Sequence, residues 1–305
     1  MKKILNMVKQ RPFLFFIAPG ALLYLVLIIY PMFSTFVNSF CQWDGIGEKL
    51  FIGLSNFKML FTDPIYAPQF LNALKNSFIF VVLCYIIQVP LAFYFAYVIN
   101  RKVFLSKTCQ LLIFMPQVIS QVAVGLLVLL FLDPNFGVVN NGLRAIGLGS
   151  WARGWLGDPV ILKLVVAVIL TWKGIGIPMM LLIANMQSIP AEYEEAAALD
   201  GANEWNKFRY ITLPLLKPAL TNIIVLIFIN GIATFDIPYL LGGMNGGPSG
   251  AIDTLGTMFY RVAFGSKYLT NNMGLATAIA VIQFLIMVTV SVIQISLLKR
   301  NETEY

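Results

Sequence analysis

Six stretches of mostly apolar residues constrain this chain more than any other feature. They run over approximately 13–35, 78–99, 111–132, 161–186, 220–241 and 273–298. A helix of about 20 apolar residues crosses a hydrocarbon layer roughly 30 Å thick. Inside such a layer every backbone N–H and C=O must find its partner within the protein, so segments of this kind read as helices. The expected architecture is an all-α membrane protein with six transmembrane helices, built as one domain over residues 1–305. Pro19, Pro90, Pro116, Pro178 and Pro238 fall within these segments. Bundled membrane helices tolerate them because neighbours satisfy the groups that a proline frees.

Composition agrees. Hydrophobic residues make up 59% of the chain and charged residues 11%, against about 25% charged in soluble domains. The net charge of +7 does not point to nucleic acid, because the basic residues sit in short loops and termini. On one side are Lys2, Lys3, Lys9 and Arg11, then Arg101, Lys102 and Lys107, then Lys207, Arg209 and Lys217, then Lys299 and Arg300. Fewer, more widely spread basic residues lie on the other side. This bias places both termini and the 187–217 loop in the cytoplasm. The uncharged stretch after Arg11 exceeds the roughly 7–15 apolar residues of a signal peptide and lacks a small-residue cleavage site. It is expected to remain as the first span.

Histidine is absent and the three cysteines, Cys41, Cys84 and Cys109, are scattered. The commonest general base and metal ligand is therefore missing, and no zinc or disulfide pattern appears. No G-x-x-x-x-G-K-[ST] phosphate loop occurs. The chain is not expected to be an enzyme, to bind a metal or to hold a cofactor of its own.

The segment IPAEYEEAAALDGANEWNKFRYITLPLLKPAL, residues 189–220, is a charge-rich island between two apolar stretches. Pro190 suits a helix start, and Glu192, Glu194 and Glu195 suit its positive end. The run Ala196–Ala198 favours helix and leaves a smooth surface. Gly201 stands where a helix end needs a left-handed residue. Asn203 can cap a second short helix over 206–210, which Pro214 and Pro218 are expected to stop. The expected result is a rigid corner of two short helices beneath the membrane.

The spacing E-A-A-x3-G-x9-I-x-L-P in this loop resembles the loop by which importer-type ABC permeases dock on their ATPase. The flanks QSIPAEYEEAAALDGANEW resemble the carbohydrate-uptake, maltose-transporter branch. PGALLYLVLIIYPMFSTFVNSF, FIGLSNFKMLFTDP, MPQVISQVAVGLLVLLFLDPNFGVVNNGL and NGGPSGAIDTLGTMFYRVAF are similar to the first of that branch's two permease subunits. The resemblance implies a type I ABC importer permease fold with a cytoplasmic coupling helix between spans four and five. It implies that Glu194, Glu195, Ala196, Ala197, Asp200, Gly201, Ala202 and Trp205 take part in ATPase coupling. The implied partners are a second homologous permease, two ATPase subunits that carry ATP and magnesium, and an extracytoplasmic sugar-binding protein. The implied site is the bacterial cytoplasmic membrane, and the implied cargo a sugar, an oligosaccharide first of all.

Polar side chains inside a bilayer are expensive and usually face the bundle interior. Gln117 and Gln121 in the third stretch, Trp172 and Lys173 in the fourth, and Asn230, Thr234, Phe235, Asp236 and Tyr239 in the fifth are the candidate substrate path. Ser120 and Gln283 share the polar character. Lys173 and Asp236 are expected to meet or to line one wet cavity, and Asn230 and Thr234 to share a helix face at i, i+4. Helix–helix packing is the competing role for each. An ABC permease for peptide, amino acid or phosphate ester remains the alternative reading. An ion-coupled carrier is less favoured, because neither a chain of intramembrane acids nor a two-half repeat is evident.

Overall fold

A computed structural model describes residues 13–101, 104–265 and 270–299. Lys2, Lys3, Lys9, Arg11, Lys102 and Arg300, which enter the orientation reading, lie outside the described residues. The first apolar stretch forms α1 (Phe13–Tyr24), a π turn (Leu25–Ile29) and α2 (Tyr30–Asn38). A two-stranded antiparallel ribbon follows, β1 (Cys41–Gln42) with β2 (Leu50–Phe51), Cys41 opposite Phe51. Next come α3 (Ser55–Thr62), α4 (Tyr66–Asn100), α5 (Ser106–Val118), α6 (Gln121–Phe131) and α7 (Val138–Ala145). The fourth stretch is α8 (Pro159–Gly174) and α9 (Gly176–Gln187), and the loop after it holds α10 (Ala191–Leu199) and α11 (Glu204–Lys207). The rest is α12 (Lys217–Ile232), α13 (Asp236–Gly242), α14 (Leu255–Phe264) and α15 (Met273–Lys299).

Among the described residues four helices are long and apolar enough to cross a membrane: Phe16–Asn38, Tyr66–Asn100, Lys217–Asn245 and Met273–Leu298. Two bent pairs raise the count to six. α5 and α6 meet at 97°, and α8 and α9 at 41°. The third stretch is therefore not the single helix expected from its apolar length. Its chain breaks at Ile119 and Ser120, both extended, three residues beyond Pro116, which stays helical. The fifth stretch breaks at Ala233–Phe235.

α4 is the axis of the bundle. It packs against α9, α12, α8, α3 and α14, and its fully buried Ala73, Ala92 and Ala96 let those neighbours approach closely. At the end near α10, Ala92, Ala96 and Ile99 of α4 meet Met179, Leu182 and Ile183 of α9 and Ile223 of α12. At the far end, Phe70 and Val81 join Phe228, Met258 and Ile279. A third cluster joins Phe80, Val124, Val166 and Ile237 where the broken helices meet. There Gly125 of α6 lies so close to Leu240 that a Cβ would stand 2.6 Å from its Cδ1.

The far end is stapled by a polar network around the glycine-rich loop 243–254. Asn72 and Asn76 of α4 donate to the Gly250 carbonyl at 2.8 and 3.0 Å, and Asn76 also to the Asp253 carbonyl. Asp253 and Arg261, each with a side chain 4% exposed, form a two-pronged ion pair at 2.7 and 3.1 Å. Thr257 donates to the same carboxylate at 2.6 Å, and Arg261 also donates to the Met244 carbonyl. Arg261 is a buried anchor.

Candidate functional site

The site has two parts, a protruding corner and a polar cavity, joined by α9. The corner follows from its local sequence. α10 starts after Pro190 with Glu192 and Glu194 in its first turn. It ends in a pair of crossed hydrogen bonds: Ala202 N–H to the Ala197 carbonyl, 2.9 Å, and Gly201 N–H to the Ala198 carbonyl, 3.1 Å. This is the Schellman closure, which requires a left-handed residue at Gly201, whose φ is +77°. Two residues later Asn203 accepts from the Asn206 N–H at 2.8 Å and caps α11. The two caps leave only Gly201 and Ala202 between them, so the corner is tight.

The chain does not stop at Pro214, as expected. After α11 it continues through a π turn, Phe208–Thr212, into a short helical turn over Leu213–Leu215 that carries Pro214 near its start. Pro218 lies in the first turn of α12. Both prolines occupy places where a missing N–H is harmless.

Phe208 and Glu204, which the sequence reading passed over, hold the corner to the bundle. Phe208 packs edge-on against Phe93 and Tyr97 of α4, with ring centres 5.4 Å away in each case, and Trp205 lies over Phe208 at 5.5 Å. Glu204 pairs with Arg101 at the end of α4 and with Lys207 at 3.2 Å. These cations hold the Glu204 carboxyl below the usual carboxylate range, Arg101 chiefly. Phe208 and Glu204 lie inside the loop already singled out, but nothing in their spacing says that they face α4. Beyond this attachment the corner is bare. Leu199 is 90% exposed, and Tyr193, Glu194, Glu195, Ala196, Asp200 and Trp205 are also exposed. A helix tip that presents Leu199 and the alanine face to water is shaped to press on another surface.

The cavity measures about 230 Å³ and lies where the third, fourth and fifth stretches break or bend. Gln117, Gln121, Lys173, Asn230, Thr234, Phe235 and Asp236 line it, with Gln88, Cys84, Leu170 and Ile227. The structure thus brings together all the candidate path residues except Trp172 and Tyr239. Trp172 is 47% exposed and is not among the lining residues. It precedes Lys173 on α8, and successive helix residues point about 100° apart. Tyr239 stacks on Phe235 at 5.1 Å and meets Tyr260 at 5.0 Å, behind the lining. Gln88, buried in mid-α4, was missed. A glutamine within a long apolar helix was the signal for it.

Irregular backbone at this depth survives only where it is buried in protein or lines a cavity, and here side chains satisfy it. Lys173 donates to the carbonyls of Pro116, 3.3 Å, and Ile119, 2.5 Å, across the break between α5 and α6. Gln283 donates to the Ile232 carbonyl at 3.2 Å, and Thr254 to the Thr234 carbonyl at 2.9 Å, across the break before α13. Gln283 is thus helix–helix glue. Lys173 and Asp236 share the cavity, but no ion pair joins them. Asn230 and Thr234 also share it, though not by i, i+4 spacing, because α12 ends at Ile232.

Comparison with known proteins places this geometry. Residues 88–302 match the family described as "Binding-protein-dependent transport system inner membrane component". The chain is 34% identical to the probable ABC transporter permease protein YurN of Bacillus subtilis over 99% of this chain and 100% of that one. It is 31% identical to the multiple sugar-binding transport system permease protein MsmF of Streptococcus mutans, over 99% of both. Among solved structures it superposes with a TM-score of 0.82, at 25% identity over 98% of this chain and 99% of the other, on a chain of a bacterial ABC transporter involved in the import of the acidic polysaccharide alginate. A second match, with a TM-score of 0.81, comes from that transporter in complex with an alginate pentasaccharide-bound periplasmic protein.

Proposed function

Since this chain belongs to the family of binding-protein-dependent transport system inner membrane components, we propose that it is the permease subunit of an ABC importer that takes up sugars, oligosaccharides above all. It is a transport subunit and not an enzyme. The observation that carries the reading is the bare, doubly capped corner at Gly201, followed back along α9 to the bend beside Lys173 and the cavity. A push on α10 reaches the cavity through one packed helix.

ATP hydrolysis belongs to a separate pair of ATPase subunits, which α10 and its corner contact through Glu194, Glu195, Ala196, Ala197, Asp200, Gly201, Ala202 and Trp205. A second homologous permease completes the pathway, and an extracytoplasmic binding protein delivers the sugar. Both termini and the 187–217 loop face the cytoplasm of a bacterial cell. The complexed relative and the sugar-transport relatives support this assignment, as does the amide, hydroxyl and carboxylate lining of the cavity, the group set that hydroxyl-rich ligands use.

Gly201 gives the first test. A Cβ at this position meets nothing within 4 Å in this chain, so Gly201→Ala and Gly201→Leu suffer the same left-handed strain, roughly 1–2 kcal/mol. Co-purification in mild detergent is expected to keep the ATPase with the alanine variant and to lose it at least tenfold with the leucine variant. Equal retention of the ATPase by both would mean that no partner surface abuts this corner.

The cavity gives the second. Asn230→Ala with Thr234→Ala is expected to lower sugar uptake in proteoliposomes at least tenfold while the complex still assembles. Unchanged uptake would reject a direct contact with the cargo.

A further inference from the structure

The cavity holds two charged side chains among its lining residues, Lys173 and Asp236, and the structure treats them differently. Lys173 is 8% exposed, and two of the three donors on its ammonium go to the Pro116 and Ile119 carbonyls. Its positive charge serves the break between α5 and α6. No hydrogen bond or ion pair among the described residues engages the Asp236 carboxylate. It sits at the start of α13, half-buried, beside Thr234 and across from Gln117, Gln121 and Asn230 in the lining. A carboxylate accepts hydrogen bonds and donates none, so the group best matched to it is a pair of hydroxyls.

We propose that Asp236 makes this cavity selective for uncharged sugars and excludes those that bear a carboxylate, such as uronates. The proposal rests on the sugar-importer reading and gives the charge class of its cargo. A like charge brought next to Asp236 in a confined cavity meets repulsion. A neutral sugar offers hydroxyl donors to Asp236 and finds amides in Gln88, Gln117, Gln121 and Asn230. The fold does not impose this property, since a chain of closely similar fold serves an importer of an acidic polysaccharide. Side chains grafted on the fold decide it.

The test is equilibrium binding to the assembled transporter in nanodiscs, with its partner permease and ATPases but without binding protein, whose own selectivity would mask the cavity's. The probes are maltotriose, cellotriose and raffinose. Each is compared with a derivative carrying one primary alcohol oxidised to a carboxylate and another carrying one primary alcohol replaced by an amine. For the neutral sugar that binds best, the carboxylate form is expected to bind at least tenfold more weakly, about 1.4 kcal/mol, and the amine form no more weakly than the neutral one. Asp236→Asn is expected to narrow the carboxylate gap to less than threefold, with Asp236→Ser as the second variant.

A carboxylate form that binds the native transporter as well as its neutral parent overturns the proposal. So does a gap that survives both substitutions, or an amine form weakened as much as the carboxylate, which would reduce the effect to the burial of any charge. The amine comparison needs no variant, so it decides even where a substitution blocks assembly. Binding of none of the three neutral sugars or their derivatives would overturn the sugar-cavity reading itself, and this proposal with it.

Discussion

Asp253→Ala is expected to be the most destabilising single substitution in this chain. The Arg261 guanidinium is buried with two prongs on the Asp253 carboxylate, and removing one partner of such a pair typically costs about 3–5 kcal/mol. The loss arises from the unpaired charge left behind, so it exceeds the net worth of the pair. The effect spreads, because the Asp253 and Gly250 carbonyls also hold Asn72 and Asn76 of α4. The apparent melting temperature of the purified complex in detergent is expected to fall by on the order of 10 °C. Asp253→Leu combined with Arg261→Met removes both charges and is expected to recover most of that loss. A double variant as unstable as the sum of its singles would mean that the two residues act independently.

Lys173→Met is expected to abolish transport while leaving the complex assembled. Methionine keeps the apolar stem and removes the ammonium that the Pro116 and Ile119 carbonyls accept from. Hydrogen bonds to charged groups are worth about 1.5–3 kcal/mol each, and these two lie at the break where the third span turns by 97°. Uptake is expected to drop at least tenfold, with Lys173→Arg retaining more activity because it can still donate. Adding Asp236→Asn to Lys173→Met is expected to restore nothing, since the stranded carbonyls remain. Full recovery in the double variant would make charge compensation, and not the clamp, the task of Lys173. Uptake in proteoliposomes at fixed protein-to-lipid ratio, beside an assembly check, distinguishes these results.

The corner was legible because its chemistry is local. Pro190, Ala197, Gly201 and Asn203 each act on backbone groups within five residues of themselves, so the capping logic of the sequence is also its structure. The spans were legible as apolar lengths but not as shapes. Pro116 is the visible helix breaker of the third stretch, yet the helix continues through it and breaks at Ile119–Ser120, where Lys173 of another helix can satisfy the exposed carbonyls. A break that depends on a donor more than fifty positions away leaves no mark in its own segment. Similarly, Trp172 and Lys173 are neighbours in sequence and cannot both face one cavity. Polarity in an apolar helix identified most of the lining, and the same criterion applied to Gln88 would have added it. The Asp253–Arg261 pair escaped because charges near glycine-rich turns ordinarily lie in water, and only the packing of α14 on α15 and α4 removes it.

The 97° turn also has a consequence for the surrounding lipid. α5 is 13 residues long and α6 is 11, or about 20 Å and 17 Å at 1.5 Å per residue. Neither reaches across a hydrocarbon layer of about 30 Å, and with a near right angle between them the pair spans at most about 25 Å along any one direction. Where this wall of the protein meets acyl chains, the bilayer is expected to thin, at fractions of a kcal/mol per ångström of mismatch. Straightening the span would relieve that thinning. Acyl-chain length thereby joins the forces that set the balance between bent and straight forms of the third span.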